Sequence, residues 1–216
     1  VVLRIDGGYD VTTGEPFLGQ LSRRVNLSSG VVNVVISPIT SLLTNADQAA
    51  QTTLMGALQL DPDDLDVDYL DSDGEGGVDA QLLNTAVTIH KTVTVMSDKI
   101  EDTYTEIGET IGTANDTSSA VYTALANVIV ETINSSETPE EVDLDSVVSD
   151  SNVLVEVMDQ AEEEVKETYE DKDLDLPPDM GSAENPDQLE DTATVAAAIP
   201  AVVDAVIDED ATDLTA

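Results

Sequence analysis

Apolar residues recur every three or four positions along most of the chain, which is the spacing of one face of an α-helix. The longest series runs from Ala86 to Ile111 and predicts one long helix. The last series contains Pro200, where we expect the helix to kink because proline removes a backbone donor. The other series, which predict shorter helices, lie at residues 39–43, 50–58, 121–133, 154–169 and 193–206.

Proline positions support the same interpretation. Four of the eight prolines directly follow a residue that favours the N-cap, as expected where helices begin. Two of these starts also carry Glu or Gln three residues after the cap residue, which is the spacing of a capping box. The four starts are Ser37-Pro38, Asp61-Pro62, Thr138-Pro139 with Glu141, and Asn185-Pro186 with Gln188.

The first 36 residues follow a different pattern. Val1–Ile5 and Val31–Ile36 are apolar and rich in β-branched residues, and glycines, serines and Pro16 separate them. This pattern predicts two or three short strands or extended segments that pack on the helical part or continue a preceding β-domain.

The predicted fold is therefore mainly α, an irregular bundle of five to seven helices with a short N-terminal β or extended segment. Acidic stretches separate the helical series, and the one around Pro177-Pro178 has the composition of a mobile connector. The predicted divisions are an N-terminal β or extended segment at 1–36, a helical bundle at 37–170, an acidic linker at 171–188, and a C-terminal helix packing on the bundle at 189–216.

Composition restricts the core and the chemistry. The chain has no Trp, one Phe and five Tyr, so we expect Ala, Val, Leu and Ile to fill a core in which helices pack closely. It has no Cys, which excludes disulfides, thiolate metal sites and cysteine nucleophiles. No run of apolar residues is long enough to predict insertion into a membrane.

Charge restricts the partners. The chain carries 46 acidic and 7 basic residues, a formal net charge of -39. Nucleic acids and anionic membrane surfaces are excluded as partners, because few basic side chains are present to replace their counterions. Such a surface repels itself unless cations or salt screen it. The composition therefore favours a Ca²⁺-rich medium, a high-salt medium or a basic protein partner, and simple solvation of the surface is the alternative.

One acidic stretch has the spacing of a Ca²⁺ loop. Residues 71–79 read Asp-Ser-Asp-Gly-Glu-Gly-Gly-Val-Asp, which resembles the opening of an EF-hand or dockerin-type loop. Gly76 stands at the turn position, whereas Leu82 occupies the place of the bidentate carboxylate that closes such loops. A flexible acidic loop without metal is the alternative. The predicted Ca²⁺ ligands are Asp71, Asp73, Glu75 and Asp79.

Other candidate residues favour structural roles. The acidic run at Glu162–Glu164, with Glu167 and Glu170, is typical of a solvated helix face. His90 has no second His or Cys near it and is interpreted as a packed or surface histidine. The chain contains no Gly-x-Ser-x-Gly elbow and no glycine-rich phosphate loop followed by Lys, so no catalytic residues are predicted.

The N-terminal third carries a resemblance. Residues 5–21 match a Gly-Gly-x-Asp-x-x-Thr-Gly-x-x-Phe-x-Gly pattern, and Asn33–Leu43 and then Ala57–Leu60 follow it before an acidic loop. This order resembles a helical module of very large secreted or cell-surface bacterial proteins, the Ca²⁺-binding repeat-type adhesins with cadherin-like or immunoglobulin-like domains. The similarity covers residues 5–60 and fades through residue 134. It implies an extracellular or cell-surface location and an adhesive or structural role.

Three hypotheses for the function follow. The first is a non-enzymatic structural or adhesive module that Ca²⁺ or salt stabilises and that contacts other domains or subunits of a surface assembly, including by self-assembly. The second is an acidic binding domain of a halophilic protein with no specific metal, which the excess of Asp over Glu favours. An enzyme that works through carboxylates alone is the third.

Overall fold

The computed structural model describes residues 1–7, 19–26, 34–67, 80–106, 114–138, 142–171 and 188–213. Within these ranges the protein is mainly helical, with a two-stranded antiparallel sheet at the N-terminus, which confirms the predicted fold class. Seven α-helices have eight residues or more. The elements are β1 (Val2–Asp6), β2 (Gln20–Arg24), α1 (Pro38–Asn45), α2 (Gln48–Ala57), a 3₁₀ helix (Pro62–Asp66), α3 (Ala80–Glu106), α4 (Ala114–Ser135), α5 (Leu144–Val148), α6 (Ser151–Asp171), α7 (Gln188–Ala197) and α8 (Ile199–Asp213).

Helix α4 is the centre of the bundle. It packs most extensively against α6 and also contacts α1, α2, α3 and β2. Most of its residues are buried, and a narrow stripe at Asn127, Glu131 and Asn134 is exposed. Its side chains with at most 2% exposure are Thr117, Val121, Tyr122, Ala124, Leu125, Ala126, Val128 and Ile129.

On α3, α4 and α6 the described residues of the predicted apolar faces are buried, whereas Val206 of the last series is 55% exposed. In α3 the buried residues include Ile89, Met96 and Ile100, and in α6 they include Leu154 and Met158. The core is therefore built from aliphatic residues, alanine and methionine, as the composition predicts. The alanines on α4 and α6 let the two backbones approach closely, because they carry no side chain beyond Cβ.

Two of the predicted helix starts are described. Ser37 caps α1 as predicted: its hydroxyl accepts from the Thr40 N–H at 3.2 Å, and the Thr40 hydroxyl accepts from the Ser37 N–H at 2.9 Å. Asp61-Pro62 begins a five-residue 3₁₀ helix rather than an α-helix. The starts at Thr138-Pro139 and Asn185-Pro186 involve prolines outside the described residues.

The C-terminal series forms two helices with a break at Ala198, and Pro200 is the second residue of α8. This is where proline disfavours continuation of a helix from the preceding turn. Helix α7 packs on α6 and α3, and α8 packs on α3. The interior of the predicted linker, residues 172–187, lies outside the described part of the chain.

The sheet differs from the prediction in its second strand. Val2–Asp6 pairs with Gln20–Arg24, in the register Arg4↔Ser22, whereas residues 34–36 of the predicted second strand are not in a strand. The sequence of β2 is mostly polar and shows no β-branched run, so local propensity does not identify it. Contacts with the helices explain why it is extended.

Helices α1 and α4 complete the outer edge of β2 with side-chain hydroxyls. The N–H groups of Gln20, Ser22 and Arg24 donate to Ser118 Oγ at 3.2 Å, Ser41 Oγ at 2.8 Å and Thr44 Oγ1 at 3.0 Å. The Ser22 carbonyl in turn accepts from the hydroxyls of Thr40 and Ser41. These hydroxyls occupy the place of a third strand, so the backbone of β2 is satisfied on both sides.

Replacing Ser41 by Ala is expected to lower the free energy of unfolding by about 1–3 kcal/mol. The reason is that the Ser22 N–H, next to a side chain with no exposed surface, loses its acceptor. Ser149→Ala, at an exposed position that ends α5, is the matched control and should change stability by about 0.5 kcal/mol or less. Urea unfolding of the three proteins measures the difference. Equal midpoints for both variants would contradict the structural role of the hydroxyl.

Candidate functional site

A polar concavity of about 120 Å³ lies where the end of α2, the first turns of α3 and the start of α5 meet. Amide and carboxylate side chains form much of its lining, together with Leu58 and Leu144. The lining residues are Ala57, Leu58, Gln59, Gln81, Asn84, Thr85, Asp143, Leu144 and Asp145. We call this concavity the polar cleft.

The backbone at the end of α2 places Gln59 in the polar cleft. Gln59 has φ 54°, the left-handed conformation that glycine usually adopts after a helix. The Gln59 N–H donates to the Gly56 carbonyl at 3.1 Å, and the Leu60 N–H donates to the Met55 carbonyl at 2.9 Å. This is a Schellman motif with glutamine at the position where a Cβ atom is disfavoured, so α2 ends at the cost of local backbone strain.

Asn84 joins the polar cleft to the C-terminal helix. Its side-chain oxygen accepts from the Thr88 hydroxyl at 3.2 Å, and its amide donates to the Asp204 carboxylate of α8. Two interactions on opposite ends of one amide hold that side chain in a single orientation. The contact also connects residues that are 120 positions apart in the chain.

Carboxylates crowd the other wall. Asp143 caps α5, where its side chain accepts from the Ser146 N–H at 2.9 Å. The pKa of Asp145 is raised, first by desolvation at the wall and then by the negative charges of Asp204 and Asp143. The polar cleft thus gathers negative charge that no described ion pair offsets.

The size of the polar cleft limits what it can hold. Pockets for small molecules commonly measure about 300–1,000 Å³, well above this volume. A few water molecules or one hydrated cation fit the space, since water takes about 30 Å³ in the liquid. No group of three or more His, Cys, Asp or Glu among the described residues is arranged to hold a bare metal ion.

The predicted Ca²⁺ ligands Asp71, Asp73, Glu75 and Asp79 all lie outside the described residues. Their role as a Ca²⁺ loop stays a prediction. Only the two sides of this stretch are described, by the 3₁₀ helix that ends at Asp66 and by α3, which begins at Ala80.

A second concentration of negative charge lies on α3. Asp98, Glu101 and Asp102 are three or four residues apart, so their side chains are neighbours on one helix face. Desolvation is the largest cause that raises the pKa of Asp98 and of Glu101, and the neighbouring carboxylates raise both further. We call these three residues the acidic ridge.

The acidic run on α6 is solvated only in part, which corrects the prediction for Glu162. Glu162 is buried, and it pairs with Lys166 at 3.2 Å, whereas Glu163 is exposed and contacts the same ammonium at 3.3 Å. The reason is that Glu162 follows Met158 by four positions and therefore lies at the margin of the buried face. Desolvation and then Glu167 raise the pKa of Glu164. His90 is half-buried in α3.

Sequence reasoning did not find the polar cleft. Its lining comes from three separate parts of the chain, and α8 adds Asp204 from a fourth. No motif links these residues, and the three parts are distant from one another in the sequence.

Comparison with known proteins found no match: no family model, no curated protein and no solved structure is similar to this chain. Among the described helices, none combines the length and the hydrophobicity that a membrane span requires.

The pKa shifts predict that the protein is more stable at mildly acidic pH than at neutral pH in low salt. A carboxyl group whose pKa is raised on folding binds its proton more tightly in the folded state. Its contribution is full below the usual values of 3.8 and 4.5 and is lost as pH rises through the folded pKa. Asp98, Glu101, Asp145, Asp159 and Glu164 all shift in this direction.

Thermal unfolding in dilute buffer, from below the usual carboxyl pKa values of 3.8 and 4.5 up to neutral pH, measures this effect, and we expect Tm to fall as pH rises through the raised pKa values. The variant Glu101→Gln with Asp102→Asn should flatten the profile, because it removes two members of the acidic ridge. Glu131→Gln with Glu137→Gln removes the same charge from exposed positions of α4 and the loop after it and is the control. A Tm that rises with pH in the unaltered protein would refute the assignment.

Proposed function

We propose that this chain is a non-enzymatic structural or adhesive module of an extracellular or cell-surface assembly, and that cations stabilise its helical bundle. The observation that carries the proposal is the imbalance of charge. Among the described residues, ion pairs involve only two cationic side chains, Arg23 and Lys166, in a chain with 46 acidic residues. The remaining repulsion must be reduced by ions from the solvent.

The crowded carboxylates show where screening matters most. The acidic ridge places three carboxylates on one face of α3, and the polar cleft brings Asp145 near Asp143 and Asp204. The pKa values of Asp98, Glu101 and Asp145 are raised, which means that the ionised form of these three groups is unfavourable in the absence of added cations. A cation that associates loosely with either site relieves the repulsion without needing a rigid coordination cage.

Exposed apolar side chains support a role in protein contacts. On α7 and α8, Val195, Val202 and Val206 are 60%, 61% and 55% exposed. Valine on a solvated helix surface favours association with another protein, although single exposed apolar residues are common. The partners under this proposal are neighbouring domains or further subunits of the same assembly.

Ca²⁺ is the proposed cation, and the halophilic hypothesis supplies the competing outcome. Thermal unfolding is measured at one fixed ionic strength with EDTA and then with millimolar Ca²⁺. We expect Ca²⁺ to raise Tm, because a divalent ion at the polar cleft or at Asp71–Asp79 neutralises more charge per site. An unchanged Tm would remove Ca²⁺ from the proposal. An equal rise with NaCl at matched ionic strength would favour a salt adaptation without a specific metal.

The proposed location has its own test. Antibodies against the purified chain are applied to intact and to permeabilised producing cells, and secreted material is collected in parallel. We expect labelling of intact cells or of the secreted fraction, and loss of that labelling after treatment of intact cells with protease. Labelling that requires permeabilisation would contradict an extracellular role. A protein of known internal location serves as the control for cell integrity.

A further inference from the structure

The hydrogen bonds of the sheet determine which groups of β1 face outward. Val1 and Val25 exchange two hydrogen bonds, at 3.0 Å and 2.8 Å, and the Gly7 N–H donates to the Gly19 carbonyl at 3.3 Å. In an antiparallel ladder such pairs alternate with pairs that exchange none. The backbone groups of Val2, Arg4 and Asp6 therefore point away from β2.

The two edges of the sheet differ in availability. On the β2 side, Ser41, Thr44 and Ser118 take the backbone N–H groups, so no further strand can pair there. On the β1 side, none of the described elements pairs with the strand. Val2 and Ile5 are 38% and 46% exposed on this strand. Within the described part of the chain, one edge is closed by the helices, and the other presents a row of backbone donors and acceptors with no strand beside it.

The spacing of the outward N–H and C=O groups of β1 determines which kind of molecule can pair with them. Three outward residues at intervals of two positions present alternating N–H and C=O groups along one line. Only another extended backbone matches that repeat over its whole length. The occupant that fits is thus an extended peptide strand, as in other cases where a peptide adds to a sheet edge.

The charged side chains of the two strands indicate which kind of extended peptide suits this edge. Three of the seven basic residues of the chain lie in these two strands, namely Arg4, Arg23 and Arg24. Arg23 is held by Asp66 at 2.6 Å and by the Val35 and Leu65 carbonyls, whereas Arg4 is exposed and forms no ion pair with a described carboxylate. Asp6, the acidic residue of the two strands, accepts from Gln20 Nε2 at 2.7 Å, so Arg4 is the basic side chain of β1 itself, and Arg24 lies on the strand away from the open edge.

We propose that β1 accepts, as a third strand, an extended acidic segment of a neighbouring domain or subunit. In this segment carboxylates would lie beside Arg4, and apolar side chains would lie beside Leu3 and Ile5 on the opposite face. Pairing of this edge with the same edge of another copy is disfavoured in the register that places the two Arg4 residues opposite each other, because their guanidinium groups would lie close together. The inference rests on the proposed function, since it names the contact through which the module joins its assembly.

The probe is a synthetic eight-residue peptide that alternates Asp or Glu with Val. It is titrated into the ¹⁵N-labelled full chain in a buffer where the bundle is folded. We expect amide shifts and slower hydrogen exchange at Val2, Arg4 and Asp6. The same peptide with N-methyl groups on the amides of one edge, or with Lys in place of its acidic residues, should bind at least tenfold more weakly.

Two variants of the protein distinguish strand addition from general attraction. Arg4→Glu should reverse the preference, so that the Lys peptide binds better than the acidic one. Arg4→Pro removes an N–H that faces outward and should weaken both peptides, while Tm and circular dichroism report whether the fold persists. Arg24→Glu, on the inner strand, is the control and should retain binding through the β1 backbone.

Absence of binding by the acidic peptide, equal binding of the N-methylated peptide, or shifts confined to other parts of the chain would overturn the strand-addition proposal. The Ca²⁺ and NaCl melts are measured without peptide, so the two proposals fail separately. A cation-dependent bundle that binds no acidic strand would leave the structural role in place with a different contact surface. If the bundle binds the acidic strand but cations do not stabilise it, the strand-addition proposal stands and the cation proposal fails.

Discussion

This protein depends on a balance between two effects. Burial of aliphatic side chains stabilises the fold, and mutual repulsion of the carboxylates destabilises it. Each fully buried Leu, Ile, Val or Met contributes about 1.5–3 kcal/mol. The chain concentrates such residues on α3, α4 and α6, and α4 is buried along all but one narrow stripe. Repulsion acts in the opposite direction over the whole surface, but water and salt weaken it strongly. The bundle therefore stays folded because its apolar contacts exclude water, whereas water and salt screen most of the repulsion between its carboxylates.

The small sheet shows how the same bundle carries a segment that could not fold alone. A two-stranded sheet in water is marginal without further packing. Here Ser41, Thr44 and Ser118 supply acceptors to β2 from two different helices, and the Ser22 carbonyl accepts two hydroxyls in return. Hydroxyl groups within helices thereby substitute for a strand. The two edges of the sheet therefore differ. Helix hydroxyls bind the outer edge of β2, whereas no described element pairs with the outer edge of β1.

The polar features of the described residues are mainly concentrations of negative charge. The polar cleft has room for a few water molecules, and Asp145 lies there near the charges of Asp143 and Asp204. The acidic ridge has the same character on α3. Arg4 and Arg24, two of the seven basic residues, lie in the sheet instead.

Much of the helical architecture was predictable because it depends on local spacing. The series 121–133 and 154–169, and the series 86–111 as far as Ile100, each predict a helix with the correct inward face, and Ser37-Pro38 predicts the start of α1. Ile107 and Ile111, at the end of the long series, lie outside the described residues. Hydrophobic periodicity contains this information directly, since residues three or four apart share a helix face. The aliphatic character of the core likewise follows from the lack of Trp and the single Phe.

The sequence by itself therefore determined the fold class, the inward faces of the long helices and the excess of negative charge. Tertiary structure alone decided that the polar segment Gln20–Arg24 is a strand, because its acceptors come from helices up to 98 positions away. It also decided the burial of Glu162 and the assembly of the polar cleft. The physical reason is common to all three: hydrogen-bond partners and burial arise between segments distant in the chain, and no local pattern records them.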